Sequence, residues 1–313
     1  YRASHVMLRR PTAVKLLLPG VLGEEGLLRF EREVRQTARL THPNTVTVYD
    51  YGRTPDGVFY YAMELIGGAS LATIVRRTGA LSAARVVAIL DQVASALEAA
   101  HAERIVHRDV KPSNVLLQRD ARFEETVKVV DFGVAKAPGA YRRDPGAGFA
   151  GTPLYMAPEA VSEAFERVSP AADIYALGAL GFYLLTARHA FHGRTRMETR
   201  VRHARGPRPS ARRRRPDVCS PELDALLVAM MDLSPDARPD ASAVRARLAA
   251  CPEAGAWTDA DERAWWASEG ADVAHAPSDS EALTHTVFPD LTDPAAVTQD
   301  LRTGPRAAAD TPT

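Results

Sequence analysis

Eight consecutive residues, His107-Arg108-Asp109-Val110-Lys111-Pro112-Ser113-Asn114, set a carboxylate, an ammonium and a carboxamide at short fixed intervals. Further on, Asp131-Phe132-Gly133 supplies a second carboxylate. Asp109 is a candidate base, able to orient a hydroxyl and accept its proton. Asn114 and Asp131 offer the hard oxygens that magnesium takes together with phosphate oxygens, and Lys111 can steady an anion as its charge shifts. A lone aspartate in a loop is usually a turn or capping residue. With Lys111, Asn114 and Asp131 in register, that bland account loses ground. The chemistry such a set suits is phosphoryl transfer, where the protein must hold the phosphates, neutralise them and aim a hydroxyl in line.

The spacing resembles the catalytic loop and metal-binding turn of protein kinases. The chain is similar, over about its first 250 residues, to a eukaryotic-like (bacterial Hanks-type) serine/threonine protein kinase catalytic domain. That resemblance implies an α+β, two-lobed fold, with a small strand-rich lobe over residues 1–66 and a larger helical lobe over 67–250. It implies ATP and Mg2+ (or Mn2+) as cofactors and Ser/Thr hydroxyls of proteins as acceptors. Lys15, in Thr12-Ala13-Val14-Lys15, matches the strand lysine that holds the α/β-phosphates, and Glu33 on the following helix is its expected ion-pair partner, with Glu31 the competing candidate. Met63 matches the gatekeeper, the Glu64 carbonyl and Ile66 amide face the purine, and Ala13 and Leu116 sandwich it. Thr152, in Gly151-Thr152-Pro153, bridges Asp109 and Lys111. Glu159, in Ala157-Pro158-Glu159, is buried and needs a cation, which the family supplies from the position of Arg238. Asp173 accepts from the catalytic-loop backbone, and as an acid in the first turn of a helix it also suits the helix dipole.

The chain departs from the family pattern in two places. The glycine-rich loop would end just before Tyr1, so the chain reads as a fragment that is weak or inactive without that loop. Between Val134 and Gly151 there is no Ser or Thr, and Tyr141 is the one hydroxyl. Arg108 marks the subclass whose arginine pairs with a phosphorylated loop residue. Here Asp144 is a candidate fixed substitute, and activity should not need phosphorylation of that stretch. Thr284, Thr286, Thr292 and Thr298 are candidate autophosphorylation or docking positions. Two other readings compete. One is a catalytically impaired, pseudokinase-like scaffold, which the absent loop favours and Lys15, Asp109, Asn114 and Asp131 oppose. The other is a kinase of small molecules, whose members usually lack the combination of Lys111, Gly151-Thr152-Pro153 and Ala157-Pro158-Glu159.

Elements that must position these residues are visible in the patterning. Val14 to Leu18 reads as a buried strand, and Leu27 to Leu40 as a helix with Leu28, Phe30, Val34, Thr37 and Leu40 inward. Thr45 to Tyr51 and Val58 to Leu65 read as two strands around the turn Thr54-Pro55-Asp56-Gly57. Ser82 caps a helix carrying Val86, Leu90, Val93 and Leu97. Pro170 opens a helix apolar almost all round, hence central. Further helices cover Pro221 to Asp232 and Ala241 to Ala250.

Apolar residues make up 46% and charged residues 25%, and the formal net charge is zero. The charge is unevenly spread. From Pro252 onward there are twelve acids against three arginines, while ten arginines lie between Arg194 and Arg215. That run could meet nucleic acid or an acidic partner; with no stacking aromatics nearby, the simpler reading is a solvated face, and no nucleic acid is expected. Residues 251–313 read as an acidic, mostly disordered tail, with Trp257, Trp265 and Trp266 able to dock a short segment back. Cys219 and Cys251 have no metal or redox spacing and fit a reducing compartment. The longest apolar run, Ile174 to Ala187, is too short to span a bilayer. A cytoplasmic location is expected, with a membrane tether outside this stretch open, and a homodimer is compatible with it.

Overall fold

The sheet that carries Lys15 is antiparallel throughout. Arg2–Ser4 (β1) pairs with Pro11–Leu17 (β2), β2 with Phe59–Glu64 (β4), and β4 with Val48–Arg53 (β3), giving the order β1-β2-β4-β3. The computed structural model describes residues 1–5, 7–17, 24–55, 57–119, 125–132, 154–162 and 168–270. Helix α1, Glu24–Thr37, follows β2. Its Val34 and Thr37 are buried, as is Leu40 beyond its end, but Leu28, expected inward, is 66% exposed. Among the described residues the core of the small lobe is Val34, Phe59 and Tyr61, with Tyr51 and Met63 alongside.

Gly68–Ser70 (β5) begins the helical part, followed by Leu71–Thr78 (α2) and Ala83–Ala102 (α3). Ser82 Oγ accepts from the Arg85 amide and so closes the first turn of α3. Val86, Leu90, Val93 and Leu97 repeat at helical spacing and are fully buried. Val115–Arg119 (β6) and Glu125–Val129 (β7) make a second, three-stranded sheet, β5-β6-β7. After Pro158–Ser162 (α4) comes Pro170–Thr186 (α5), with proline at the helix start. Its Ile174, Leu177, Leu180 and Leu184 are all at most 1% exposed, so it is the axle of the large core. Ala211–Arg214 (α7) and Pro221–Met230 (α8) pack on it, Arg196–Arg205 (α6) reaches it through His203 and Tyr175, and Ala241–Ala249 (α9) packs on α3 and α8. A Cβ on Gly178 or Gly181 would lie 2.8 Å from Met230 Cβ or 2.6 Å from Leu227 Cδ2, so these two glycines let α5 and α8 approach closely.

The second expected strand starts at Val48 rather than Thr45. Residues before it are committed elsewhere: Thr45 bridges Val129, Val46 N donates to Val129 O at 3.1 Å, and Val129 N donates to Asn44 O at 2.8 Å. These bonds tie the base of the small lobe to the strand that leads into Asp131.

Residues 251–270, expected within a mostly disordered tail, hold a helix, Asp259–Ala267 (α10), closed by a reciprocal Thr258–Asp261 capping box. The helix covers a buried charge pair. Arg85, on the inward side of α3, donates from Nε to Glu125 Oε1 at 3.2 Å and pairs through Nη2 with Oε2; the two side chains are 2% and 3% exposed. Trp266 Nε1 donates to Glu125 Oε2 at 2.9 Å, the Glu125 amide donates to Glu262 Oε2 at 2.9 Å, and the Arg85 guanidinium lies 3.7 Å from the Trp265 ring centre and 4.9 Å from that of Trp257. No helix among the described residues is long and apolar enough to cross a membrane.

Candidate active site

The loop between α3 and β6 is held from below. Asp173, in the first turn of α5, accepts from the His107 amide (2.8 Å) and the Arg108 amide (2.7 Å), and its Oδ2 lies 2.8 Å from His101 Nε2. His107 is fully buried. Its Nδ1 accepts from the Asp109 amide at 3.2 Å, which leaves Nε2 to carry the proton and donate to Val130 O at 3.0 Å. Burial, the largest influence, pushes the His107 pKa down against the nearby carboxylates, so the ring serves as a neutral two-ended brace. Its plane is tilted against Phe132, centroids 4.5 Å apart.

On this platform Asp109 Oδ2 accepts from Lys111 Nζ at 2.8 Å and from Asn114 Nδ2 at 3.1 Å; Nδ2 also donates to Asp109 O at 2.9 Å. The carboxamide is thereby turned with its nitrogen on Asp109, leaving Oδ1 for another partner. Val130 N donates to Asn114 O at 3.0 Å, so the segment entering Asp131 is stitched to the catalytic-loop segment. Asp131 and Arg108 adopt left-handed backbone, φ 62° and 63°, an uncommon conformation for residues other than glycine that tends to gather at functional sites.

Lys15 reaches Asp131 directly, Nζ to Oδ1 at 2.7 Å. The same oxygen accepts from Tyr61 Oη at 3.1 Å. Burial first, and then the Asp131 charge, push the Tyr61 pKa well above its ordinary value, so it stays a hydroxyl donor. Tyr61 faces Lys15 across the β2–β4 ladder. Its role could not be read from the chain alone, because a tyrosine in a strand looks like core.

In this structure Lys15 and Glu33, the ion pair expected from the sequence, each meet another partner. Glu33 Oε1 instead accepts from Arg108 Nη1 at 2.9 Å, and Lys15 has Asp131 as its carboxylate. Arg108 and Glu33 both lie in a half-buried zone between α1 and the catalytic loop. A guanidinium there takes the carboxylate more readily than an amine already neutralised by Asp131.

Met63 and Ala13 are register partners on β4 and β2, and Leu116 lies half-buried on β6. Glu64 uses its amide on Thr47 O (2.9 Å) and its Oε2 on Lys128 Nζ (3.0 Å), and so fixes the connector towards Ile66. Thr152, Gly133, Tyr141 and Asp144 lie outside the described residues. Glu159 and Arg238 meet as a bidentate pair, 2.6 and 2.8 Å, beneath the site.

Fitness for a divalent cation can be judged from these atoms. Asn114 Oδ1 and the Asp131 carboxylate are hard donors, and a cationic group, the Lys15 ammonium, already rests on Asp131 Oδ1. No cluster of three or more His, Cys, Asp or Glu able to hold a metal occurs among the described residues.

The model of the protein kinase domain matches residues 1–247. The chain belongs to the protein kinase family. It is 35% identical over 257 residues to the serine/threonine-protein kinase pkn3 of Myxococcus xanthus, covering 80% of this chain and 47% of that protein. It is 33% identical over 291 residues to PknB of Mycolicibacterium smegmatis, covering 88% and 45%. It is 34% identical over 219 residues to PrkC of Bacillus subtilis, covering 70% and 33%. These matches span less than half the length of the curated relatives. Within the kinase fold, the β1–β4 sheet with α1 is the small lobe and the helical remainder the large one; α10 lies beyond the residues that the family model matches.

Proposed function

We propose that this kinase domain transfers the γ-phosphate of ATP, with Mg2+, to Ser or Thr hydroxyls of protein substrates. The observation that carries the reading is the meeting of Lys15 with Asp131, and of Lys111 and Asn114 with Asp109, on two segments joined through Val130. Asp109 orients the acceptor hydroxyl and receives its proton as the oxygen bonds to the γ-phosphorus and ADP departs. Lys111, already on Asp109, offers its ammonium to the transferring phosphoryl oxygens. Asn114 and Asp131 are the residues to hold Mg2+, which when bound neutralises phosphate charge. Lys15 moves from Asp131 to the α/β-phosphates. Met63, Ala13, Leu116, Glu64 and Ile66 frame the adenine.

A second reading has one observation in its favour. Lys15 and Asp131 neutralise each other, and Glu33 sits on Arg108, an arrangement equally suited to an impaired scaffold. Radiolabelled phosphate transfer from ATP to a Ser/Thr peptide mixture, compared with Asp109→Asn, separates the two. Transfer that falls by about a thousandfold or more in the variant supports the kinase. A parent chain that melts higher with Mg·ATP yet transfers nothing supports the scaffold.

A further inference from the structure

The run of arginines between Arg194 and Arg215 forms one wall of a cleft. The cleft, about 370 Å³, opens between the end of α6, residues 206–210 and α7. Arg202, Arg208, Arg213 and Arg214 line it, over a floor that includes Phe191 and two prolines, Pro207 and Pro209.

Its cations differ in how they are committed. Arg208 is built in: it donates to Met231 O (3.0 Å), His203 O (3.0 Å) and Gly206 O (2.6 Å), and lies 4.8 Å over the Phe191 ring. Arg202 has Glu198 four residues back, at 2.7 Å on an exposed surface. Arg213 and Arg214 are exposed, and among the described residues neither has a carboxylate partner; Arg214 rests 5.6 Å from the Phe182 ring centre. Asp224 accepts from Ser210 Oγ (2.7 Å), Ala211 N (2.7 Å) and Arg212 N (3.3 Å), so it is engaged by the start of α7 and not by either guanidinium. Residues 194–215 hold ten arginines and one acid. Arg213 and Arg214, with Arg208 built in beside them, give the cleft a positive field that favours an anionic occupant.

The cleft shares its frame with the Ala157-Pro158-Glu159 segment. Helix α6 packs on α4, Tyr155 Oη lies 3.0 Å from His189 Nδ1, and Tyr175 stands between Arg208 (Nη1 to Oη, 3.4 Å) and Arg238, the partner of Glu159. Phe191, the floor aromatic, is 4% exposed and offers no ring for a base to stack on, and a concave site does not suit a flat bilayer.

We propose that this cleft docks an acidic stretch of the protein substrate, a Glu- or Asp-rich segment apart from the residue phosphorylated. The substrate role rests on the kinase reading above, whereas the binding site itself does not. The probe is a fluorescein-labelled polyglutamate peptide, followed by anisotropy, against Arg213→Glu/Arg214→Glu and a charge-matched control from the same run outside the cleft, Arg205→Glu/Arg215→Glu. Both keep the parent's melting temperature if the fold is intact. We expect the cleft variant to bind at least about tenfold more weakly and the control to change by less than about twofold. With acceptor peptides, the cleft variant raises KM for one with an acidic extension and leaves kcat, and the KM of a neutral peptide, unchanged. Equal losses in both variants, or none in either, overturn the proposal, as does capture of duplex DNA or phosphatidylglycerol vesicles in place of the peptide. If no phosphate is transferred at all, the anisotropy arm still decides the docking site and the failure belongs to the kinase reading.

Discussion

Arg238→Met tests the strut beneath the candidate active site. The Arg238 side chain is fully buried and that of Glu159 is 11% exposed. The guanidinium makes two bonds to the carboxylate and also donates to the carbonyls of Ala171 (2.9 Å), Asp232 (2.9 Å) and Leu233 (3.4 Å), above the Tyr175 ring. Methionine fills much of the volume but supplies no donor, so the Glu159 carboxylate loses its bidentate guanidinium where little water reaches, and three carbonyls lose a partner. Breaking one side of a buried pair costs about 3–5 kcal/mol. In a domain of this size each kcal/mol lowers the melting point by about 2–4 °C, which places the variant about 6–20 °C below the parent. Adding Glu159→Gln removes the charge that Arg238 neutralised, so the double variant should melt above Arg238→Met alone, a coupling read by a double-mutant cycle in scanning calorimetry. A single variant within about 2 °C of the parent, or a double variant no better than the single, would refute the argument that desolvated charge dominates here.

Three more outcomes follow from contacts described above. Tyr61→Phe removes a donor from Asp131 Oδ1 while keeping the ring in the core, so the half-saturating Mg2+ concentration for phosphate transfer should fall by about threefold to tenfold; a rise would show that the hydroxyl helps the ion instead. Trp266→Phe deletes the bond to Glu125 and should lower the melting point by about 3–12 °C, and an unchanged melt would mean that α10 contributes nothing to the large lobe. Stability should also fall on acidification. His203 is pushed down to about 3, by burial first and then by Arg208, and His107 is lowered by burial. Each has a folded pKa below its unfolded value, so the unfolded chain takes up more protons below about pH 6.5. The His203 contribution alone, full above pH 6.5, should lose about 2 kcal/mol by pH 5; urea midpoints that hold steady from pH 7.5 to 5 would contradict it.

The elements legible beforehand were those whose pattern is local. Helix α5 is apolar on every side, and α3 repeats Val86, Leu90, Val93 and Leu97 after a serine cap, so both fall where periodicity puts them. Contacts between distant segments were less legible. Arg85 sits beside the buried Val86 and Val87 on α3, and nothing near it in the chain announces Glu125 forty residues on as its buried partner. The Lys15, Glu33, Arg108 and Asp131 charges were all visible as site candidates, yet which cation takes which carboxylate depends on where α1 settles over the catalytic loop, a packing outcome rather than a spacing. Leu28 fits the helical stripe of α1 and still faces outward, because spacing alone does not say which side of a helix the sheet will cover. The arginine run, read as a solvated face, acquires a shape only when residues 206–210 fold back against α5.

Helix α10 changes what counts as the folding unit. The family match stops at residue 247, yet Trp265, Trp266 and Glu262 roof an arginine and a glutamate that have almost no other access to water. An expression boundary drawn at the end of the match would uncap that pair and open to solvent the strand that delivers Asp131. A soluble, well-behaved catalytic fragment should therefore be cut no earlier than Gly270, and the twenty-odd residues past the match are better regarded as this domain's own last layer than as the beginning of a linker.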